Sequence, residues 1–469
     1  MDHMNLEFDR LQAAHELKVL INWAISVEVP TIPAGAMRRA ATILLDDIAA
    51  MVAPRKEPEL LRFIERSEVA SDIKESTIFL NGTKVSRERA AMVNAAACCW
   101  CQLDEGYRKA SCHAGLYVLP ALLAEAEARD LSVDEVLRAL VLAYEIVTRV
   151  ASTWTLSASP HHVHAQFSGV GAASAVALVR RLPAQAFQDA ITSAATISPI
   201  GPLVQMVEGA LVSNFYATVG SWAGINAVNW AQIGIGGLGT ALHDVFGTAR
   251  GGTFQAGKLT SDIGRVWAVD FGFHKRYAAC QRLHAGADAV TEMFQDLPEH
   301  DRGRRISRMV VTTHDFQLAG VQPLNSLATR FSFPHALAAM VVLGHGEASA
   351  FSGATLEDPD IIALRAKVEI VPYIPPRAWP HDRAVRVTIT LDDGRIFEKE
   401  CASAHGSPED PLSEQEIFEK ARLLTEPAYP MLVPVLQEIL EVPESRKGLT
   451  WRAVVSKIFS HRAESRAVK

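Results

Sequence analysis

Two stretches of small residues restrict what this chain can fold into more than any other feature. GVGAASAVALV (169–179) and GSWAGINAVNWA (220–231) are rich in helix-forming alanine, nearly free of charge and almost without side-chain bulk. Such segments bury useful apolar surface only when their backbones lie close against neighbours, so both predict tightly packed, buried helices. Their surroundings carry the same message. From about Arg10 to Ile263, AATILLDDIAAMVA (40–53), VDEVLRALVLAYEIVTRVAS (133–152) and PAQAFQDAITSAATIS (183–198) place apolar residues three and four apart. Val29-Pro30, Leu182-Pro183 and Ile200-Gly201 punctuate them.

After about Phe271 the pattern changes. RISRMVVTT (305–313) and AKVEIVPY (366–373) predict strands. Val385, Val387 and Ile389 alternate, Asp392-Asp393-Gly394 turns the chain, and Ile396 to Cys401 returns it, which predicts a hairpin. FSFPHALAAMVVLG (331–344) and DPDIIALRA (358–366) read as helices, and Ser413 with Glu416 three residues on opens another that runs through Leu424. The expectation is a mainly α protein. A large all-helical domain is formed by residues 1–268 and 403–469, and a smaller α+β domain by residues 269–402.

A chain of 469 residues is longer than one core supports, which agrees with two domains. The formal net charge of −7, with no basic tract, argues against a nucleic-acid partner. MDHMNLEFDR carries charge where a signal peptide needs an apolar run. Asp46 and Asp47 break the apolar run from Ala40 to Ala53, so no membrane span is expected there. Six cysteines, at 98, 99, 101, 112, 280 and 401, suit reduced thiols and a cytoplasmic location better than a disulfide framework. Cys98, Cys99 and Cys101 beside Cys112-His113 suggest zinc at first sight, yet 98–101 falls in a helical run where buried thiols are ordinary, so no metal is expected. Gly234, Gly236 and Gly239 fit G-x-G-x-x-G but follow a helix rather than a strand, which predicts a loop and no dinucleotide.

Several segments together resemble one family. They are LDEGYRKASCHAGLYVLPALLAEAE (103–127), HHVHAQFSGVGAASAVALV (161–179), HKRYAACQRLHAGADAV (274–290), TRFSFPHALAAMVVLGHGEASAFS (329–352) and GSPEDPLSEQEIFEKAR (406–422). Their order and spacing are similar to those of the MmgE/PrpD family, whose members include 2-methylcitrate dehydratase, cis-aconitate decarboxylase and iminodisuccinate epimerase. The resemblance implies a homodimer with an active site between the two domains and no cofactor. It implies a lyase, of dehydratase or decarboxylase type, acting on a small di- or tricarboxylate such as 2-methylcitrate or cis-aconitate. Alternatives are an epimerase of a dicarboxylate such as iminodisuccinate, a specialised biosynthetic member, or a member without catalysis.

Breaking a C–H or C–CO₂ bond beside a carboxylate calls for a base, an acid and cations to hold the carboxylates. Histidine suits both proton roles, and arginine binds carboxylates through paired hydrogen bonds. The family's positions map its catalytic groups onto His162, His284, Asp104 and His113, with His162 and His284 expected to face each other across the domains. His162 also opens a small-residue helix, whose free N–H groups favour an anion, and His161 and His164 stand beside it as alternatives. Lys275, Tyr277, Arg282 and Arg108 are the expected carboxylate binders, and Ser213 and Tyr216 are expected to line the substrate site with them. Two departures stand out. Asp104-Glu105-Gly106-Tyr107-Arg108 replaces the family's D-F-D-D-T, one residue shorter. In the element resembling K-x-L-H-x-G, Ser213 and Tyr216 occupy the lysine and histidine positions, so a cation for the substrate is lost there; Arg108 or Lys109 is the expected substitute.

Overall fold

The computed structural model describes residues 2–155, 160–426 and 428–460, with the side chains of 2–6 left aside. The N-terminal half is built from α1 (Asp2–Ser26), α2 (Ala34–Val52), α3 (Pro58–Val69), α4 (Arg87–Trp100), α5 (Ala114–Arg129), α6 (Val133–Thr153), α7 (Val163–Val179), α8 (Ala184–Thr196), α9 (Leu203–Val207) and α10 (Tyr216–Ala231). The small-residue segments lie in α7 and α10, and these two helices pack directly on each other. A Cβ on Gly220 would fall 1.8 Å from Ser168 Oγ, and one on Gly224 would fall 2.4 Å from Ala172 Cβ. On its other side, a Cβ on Gly171 would lie 2.7 Å from Tyr117 Cβ on α5. The glycines thus let α7 sit at the centre of the helical body, against α5, α6, α8 and α10.

Beyond Ala231 the expected helical run to Ile263 gives way to turns and one π-helical stretch, His243–Ala249. The reason is backbone freedom. Gly234, Gly251 and Gly257 take φ of +83°, +73° and +80°, which a helix interior does not allow. Gly234–Gly239 forms a loop, as its sequence context predicts. The helical half also contains two-residue strand pairings with no periodicity to announce them, among them Ser76–Thr77 with Lys84–Val85 and Trp154–Thr155 with Thr253–Phe254.

The C-terminal half contains α11 (His284–Met293), α12 (Ser326–Thr329), α13 (Phe333–Leu343), α14 (Pro359–Arg365), α15 (Glu414–Thr425), α16 (Leu432–Glu441) and α17 (Trp451–Phe459). Between them runs a four-stranded sheet of β1 (Ile306–Thr312), β2 (Val368–Val371), β3 (Val385–Leu391) and β4 (Ile396–Cys401), in the order β4-β3-β1-β2. The β1–β2 pair is parallel and the other two are antiparallel. Val385, Val387, Ile389 and Leu391 alternate inward to the core, and Gly394 turns the β3–β4 hairpin at φ +87°. Helix α11 packs on β3 and β4. Ser413 and Glu416 form the expected capping box on α15. Helices α15 and α16 return to pack on α2, and α17 on α5. The fold is therefore mainly α with a smaller α+β part. Among the described residues no helix is long and apolar enough to cross a membrane.

Candidate active site

Two acids in the apolar face of α2 organise the polar centre. Asp46 and Asp47 are fully buried. Asp46 pairs with His274 Nδ1 at 2.8 Å and with Lys420 Nζ at 2.7 Å, while Asp47 Oδ1 accepts the Glu105 backbone N–H at 2.7 Å. Three distant segments are thereby tied to one helix. A short antiparallel pairing, Gly106–Tyr107 with Gly272–Phe273, closes the gap between two of them. It needs a glycine at 272, where a Cβ would lie 2.8 Å from Glu105 Oε1.

This pairing brings Asp104 and Lys275 together, although 171 positions separate them. Both are fully buried, and Lys275 Nζ donates to Asp104 Oδ1 at 3.0 Å. The other oxygen of Asp104 meets His113 Nδ1 at 2.7 Å. Burial acts to raise the Asp104 pKa, but the charges of Lys275 and His113 outweigh it and hold the carboxyl well below its usual range. Asp47 and Glu105 behave in the opposite way. Burial, and then the neighbouring acids, push both well above the carboxylate range. Of this acidic group, Asp104 carries its charge beside the histidines.

His113, the N-cap residue of α5, lines a cavity of about 580 Å³. An ionised carboxylate only accepts hydrogen bonds, so Asp104 fixes the proton of neutral His113 on Nδ1 and leaves a lone pair on Nε2. One turn along α5, Tyr117 OH meets His164 Nδ1 at 3.0 Å. His164 stacks edge-on against His113 at 4.8 Å and packs against His162 at 4.3 Å, so the three imidazoles form one row. His162 is the N-cap of α7, and its Nδ1 accepts the His164 backbone N–H at 3.2 Å. That hydrogen bond places the proton of neutral His162 on Nε2. Burial, then the charge of neighbouring His113, depresses His162 to about 3. Burial also lowers His113 and His164, and all three are neutral imidazoles near pH 7. The neighbouring histidines thus present opposite faces: an acceptor on His113 and a donor on His162.

The opposite wall of the cavity comes from the C-terminal half, through Cys280–Arg282, His314–Leu318 and Arg383. Gln281 Nε2 and Arg383 Nη1 are buried there without partners. Unsatisfied donors of this kind are costly, and an acceptor reaching them would relieve that cost. Burial, then Arg282 and Arg108, pushes the Arg383 guanidinium down to about 10, still cationic near pH 7. Arg282 also lines the cavity and pairs with Asp315.

Other residues expected at the site lie elsewhere. His284 does not line the cavity. It is wholly buried, with Nε2 on Ala279 O at 3.3 Å and its ring edge-on to Phe273 and Tyr277. It therefore does not face His162. Tyr277 hydrogen-bonds Asp288 at 2.8 Å, away from the cavity. Arg108 is engaged by Asp382 and by Pro380 O at 2.7 Å, so it does not replace the missing lysine. Lys109 lines the cavity with its ammonium 3.1 Å from the centre of the Phe271 ring. Ser213 is buried and bonded to Tyr216 OH at 3.4 Å, and the Tyr216 ring lies 6.0 Å from His162 without lining the cavity. Tyr117, Gln281 and Arg383 were not anticipated. Tyr117 was signalled by its place one turn after His113, whereas nothing local to Gln281 or Arg383 points to this wall.

Among the described residues, Asp104, His113 and His164 are the group whose ligand atoms converge, within 4.8 Å of one another. Both Asp104 oxygens are already engaged by His113 and Lys275, so the donor set serves hydrogen bonding rather than a cation. Cys98 and Cys99 lie buried in α4 with Cys101 at its C-cap, and no cysteine joins a convergent group among the described residues.

The fold and this cavity define a class: mainly helical proteins with a carboxylate-backed histidine row facing a smaller α+β part. Within it the chain belongs to the MmgE/PrpD family. The MmgE/PrpD N-terminal domain matches residues 18–255 and the C-terminal domain matches residues 277–439. The chain is 24% identical to the cis-aconitate decarboxylase-like protein oryM of Aspergillus oryzae, over 86% of this chain and 89% of that protein. It is 22% identical to a cis-aconitate decarboxylase of Aspergillus terreus, over 86% of this chain and 88% of that enzyme.

Proposed function

We propose that the chain is a lyase that works without a cofactor, by acid–base chemistry next to a carboxylate of a small di- or tricarboxylate. The observation that carries this reading is the pair of oppositely protonated histidines, His113 backed by Asp104 and His162 at the start of α7, on one wall of a cavity whose other wall holds unpartnered donors. His113 Nε2 takes a proton from the carbon beside the carboxylate, and its positive charge is balanced by Asp104. In a dehydration the electron pair forms the double bond, and His162 Nε2–H gives its proton to the departing hydroxyl to make water. The His113 imidazolium then returns the proton taken from carbon to the His162 ring, so both end neutral. In a decarboxylation His113 takes no proton from carbon: the C–CO₂ bond breaks, CO₂ leaves, and the carbanion takes the His162 Nε2 proton, which solvent water restores. Arg383 and Gln281 hold a carboxylate through charge-assisted hydrogen bonds. Lys275 touches no substrate in this scheme; it keeps Asp104 ionised.

A cis-aconitate decarboxylase and a cis-aconitate decarboxylase-like protein among the relatives support the decarboxylase type, and the MmgE/PrpD family supports lyase chemistry. An epimerase needs bases on opposite faces of one carbon, and the contiguous row of His113, His164 and His162 supports single-sided chemistry instead. Incubation in D₂O with 2-methylcitrate, citrate, cis-aconitate and iminodisuccinate, followed by proton NMR, separates the reactions. A new vinyl signal reports dehydration, and CO₂ release with deuterium uptake reports decarboxylation. Exchange with a change of diastereomer would overturn the lyase reading in favour of an epimerase. Silence on all four would count against both.

A further inference from the structure

We infer that the substrate carries an apolar tail, seated in a groove that continues from the histidine cavity; this rests on the carboxylate reading of that cavity. The groove encloses about 680 Å³ and shares Leu203, Val207, Gln317 and Phe331 with the cavity, so the two spaces adjoin through one mostly apolar boundary. Each is by itself large enough for a small ligand, for which sites run to ~300–1,000 Å³. A compact tricarboxylate fills the polar half and leaves the other empty.

The two halves differ in chemistry. The cavity wall offers histidines, Gln281 and three cationic side chains, Lys109, Arg282 and Arg383. Among the described residues of the groove, Glu208 is the single charged one, and proline, leucine, valine, alanine and phenylalanine make most of the lining. Leu324 and Val204 stand 80% and 52% exposed over it, large apolar groups that an alkyl chain would cover. The positions where the family resemblance expects a lysine and a histidine, Ser213 and Tyr216, are uncharged here, and Tyr216 OH is bonded to Pro202 O on the groove wall at 3.2 Å. A negative group is thus unwelcome on the groove side and a hydrocarbon is not. The occupant that matches both halves is a di- or tricarboxylate with an alkyl substituent of several carbons, its acid groups on Arg383 and Gln281 and its tail past Phe331.

The test uses the full chain and ligands that need no turnover. Calorimetric titration with 2-methylsuccinate and 2-pentylsuccinate compares one head group with a short and a longer tail. Burying a methylene is worth ~4-fold in affinity, so with the groove open on one side the pentyl compound should bind at least ~30-fold tighter. Leu324→Asp and Val204→Asp, both at exposed positions and tolerable to the fold, should cut that ratio by ~5-fold or more. Equal affinity for the two diacids would overturn the tail while leaving the carboxylate cavity standing. Failure of both diacids to bind a folded protein would remove the two together. An unchanged ratio with Leu324→Asp altering the size of the particle in solution would assign the groove to a second copy of the chain and overturn the proposal.

Discussion

Replacing Asp104 with Asn probes the centre of the site with little change of shape. Asp104 is buried, takes the His113 Nδ1 proton at 2.7 Å and pairs with Lys275 Nζ at 3.0 Å. The amide cannot neutralise Lys275, which is itself fully buried, so an uncompensated cation remains in the interior. Removing one partner of a buried pair costs about 3–5 kcal/mol. Lys275→Met should cost a similar amount, because Asp104 then lacks its cation. The double variant Asp104→Asn/Lys275→Met removes both charges of the pair, and should be ~1–3 kcal/mol more stable than the sum of the single losses implies. The sign with pH follows from the direction of the shift. Asp104 is held below its usual range, so its contribution is present above about pH 4, the unfolded value, and fades as pH falls through the folded value. Urea denaturation of the four proteins at pH 7 and at about pH 3, below the unfolded value, measures all of this. A loss below about 1 kcal/mol for Asp104→Asn at pH 7, with an additive double variant, would refute the charged pair.

His113→Asn should lower kcat/KM by ~10²-fold or more, with His162→Gln similar, as read by the NMR assay; a near-wild-type rate for either would remove it from the mechanism. Because burial depresses His113 below 6.5, the acid limb of kcat/KM should lie below the ordinary imidazole range, and a limb at pH 6.5 or above would contradict that assignment. Stability has a related signature: His162, depressed to about 3, contributes fully above pH 6.5 and loses ground as pH falls, so His162→Gln should flatten the slope between pH 6 and 4 by about 1.4 kcal/mol per pH unit in denaturant melts. Gly224→Ala forces a methyl to within 2.4 Å of Ala172 Cβ and should lower stability by about 1–3 kcal/mol, checked by thermal melting. Dialysis against EDTA should leave turnover unchanged, and a reversible loss would reassign Asp104, His113 and His164 as metal ligands.

Local features of the chain were readable because they depend on neighbours in sequence. The Ser413–Glu416 cap, the Asp392–Gly394 turn and the alternation of Val385, Val387 and Ile389 are each settled within a few residues. The close approach of α7 and α10 was readable too, since glycine and alanine leave few other ways to bury those helices. His162 at a helix start belongs to the same class, whereas Asp104 and His113 were named through the family resemblance and their hydrogen bond was not foreseen. What stayed hidden depends on contacts between distant segments. Lys420 reaches Asp46 from α15, Lys275 reaches Asp104 through a pairing two residues long, and Arg383 arrives at the cavity from the turn that precedes β3. Nothing in the sequence around Arg383 distinguishes it from the exposed arginines of the neighbouring sheet, and its buried, unpartnered Nη1 does so.

Depressed histidines at first seem poor bases, since a base near neutral pKa is better matched to proton transfer at pH 7. The arrangement around Asp104 resolves this. Burial lowers His113, while the Asp104 charge works in the opposite direction on the same ring. When His113 takes a proton, the resulting imidazolium lies against an ionised carboxylate at 2.7 Å, whereas His162 has only a backbone N–H on its Nδ1. Protonation is therefore less costly on His113 than on His162. In the proposed mechanism this asymmetry makes His113 the base and His162 the acid, and it comes from a carboxylate that stays charged because Lys275 is buried beside it. In that mechanism Lys275, brought to Asp104 by a pairing of two residues, sets the direction of proton movement from outside the cavity.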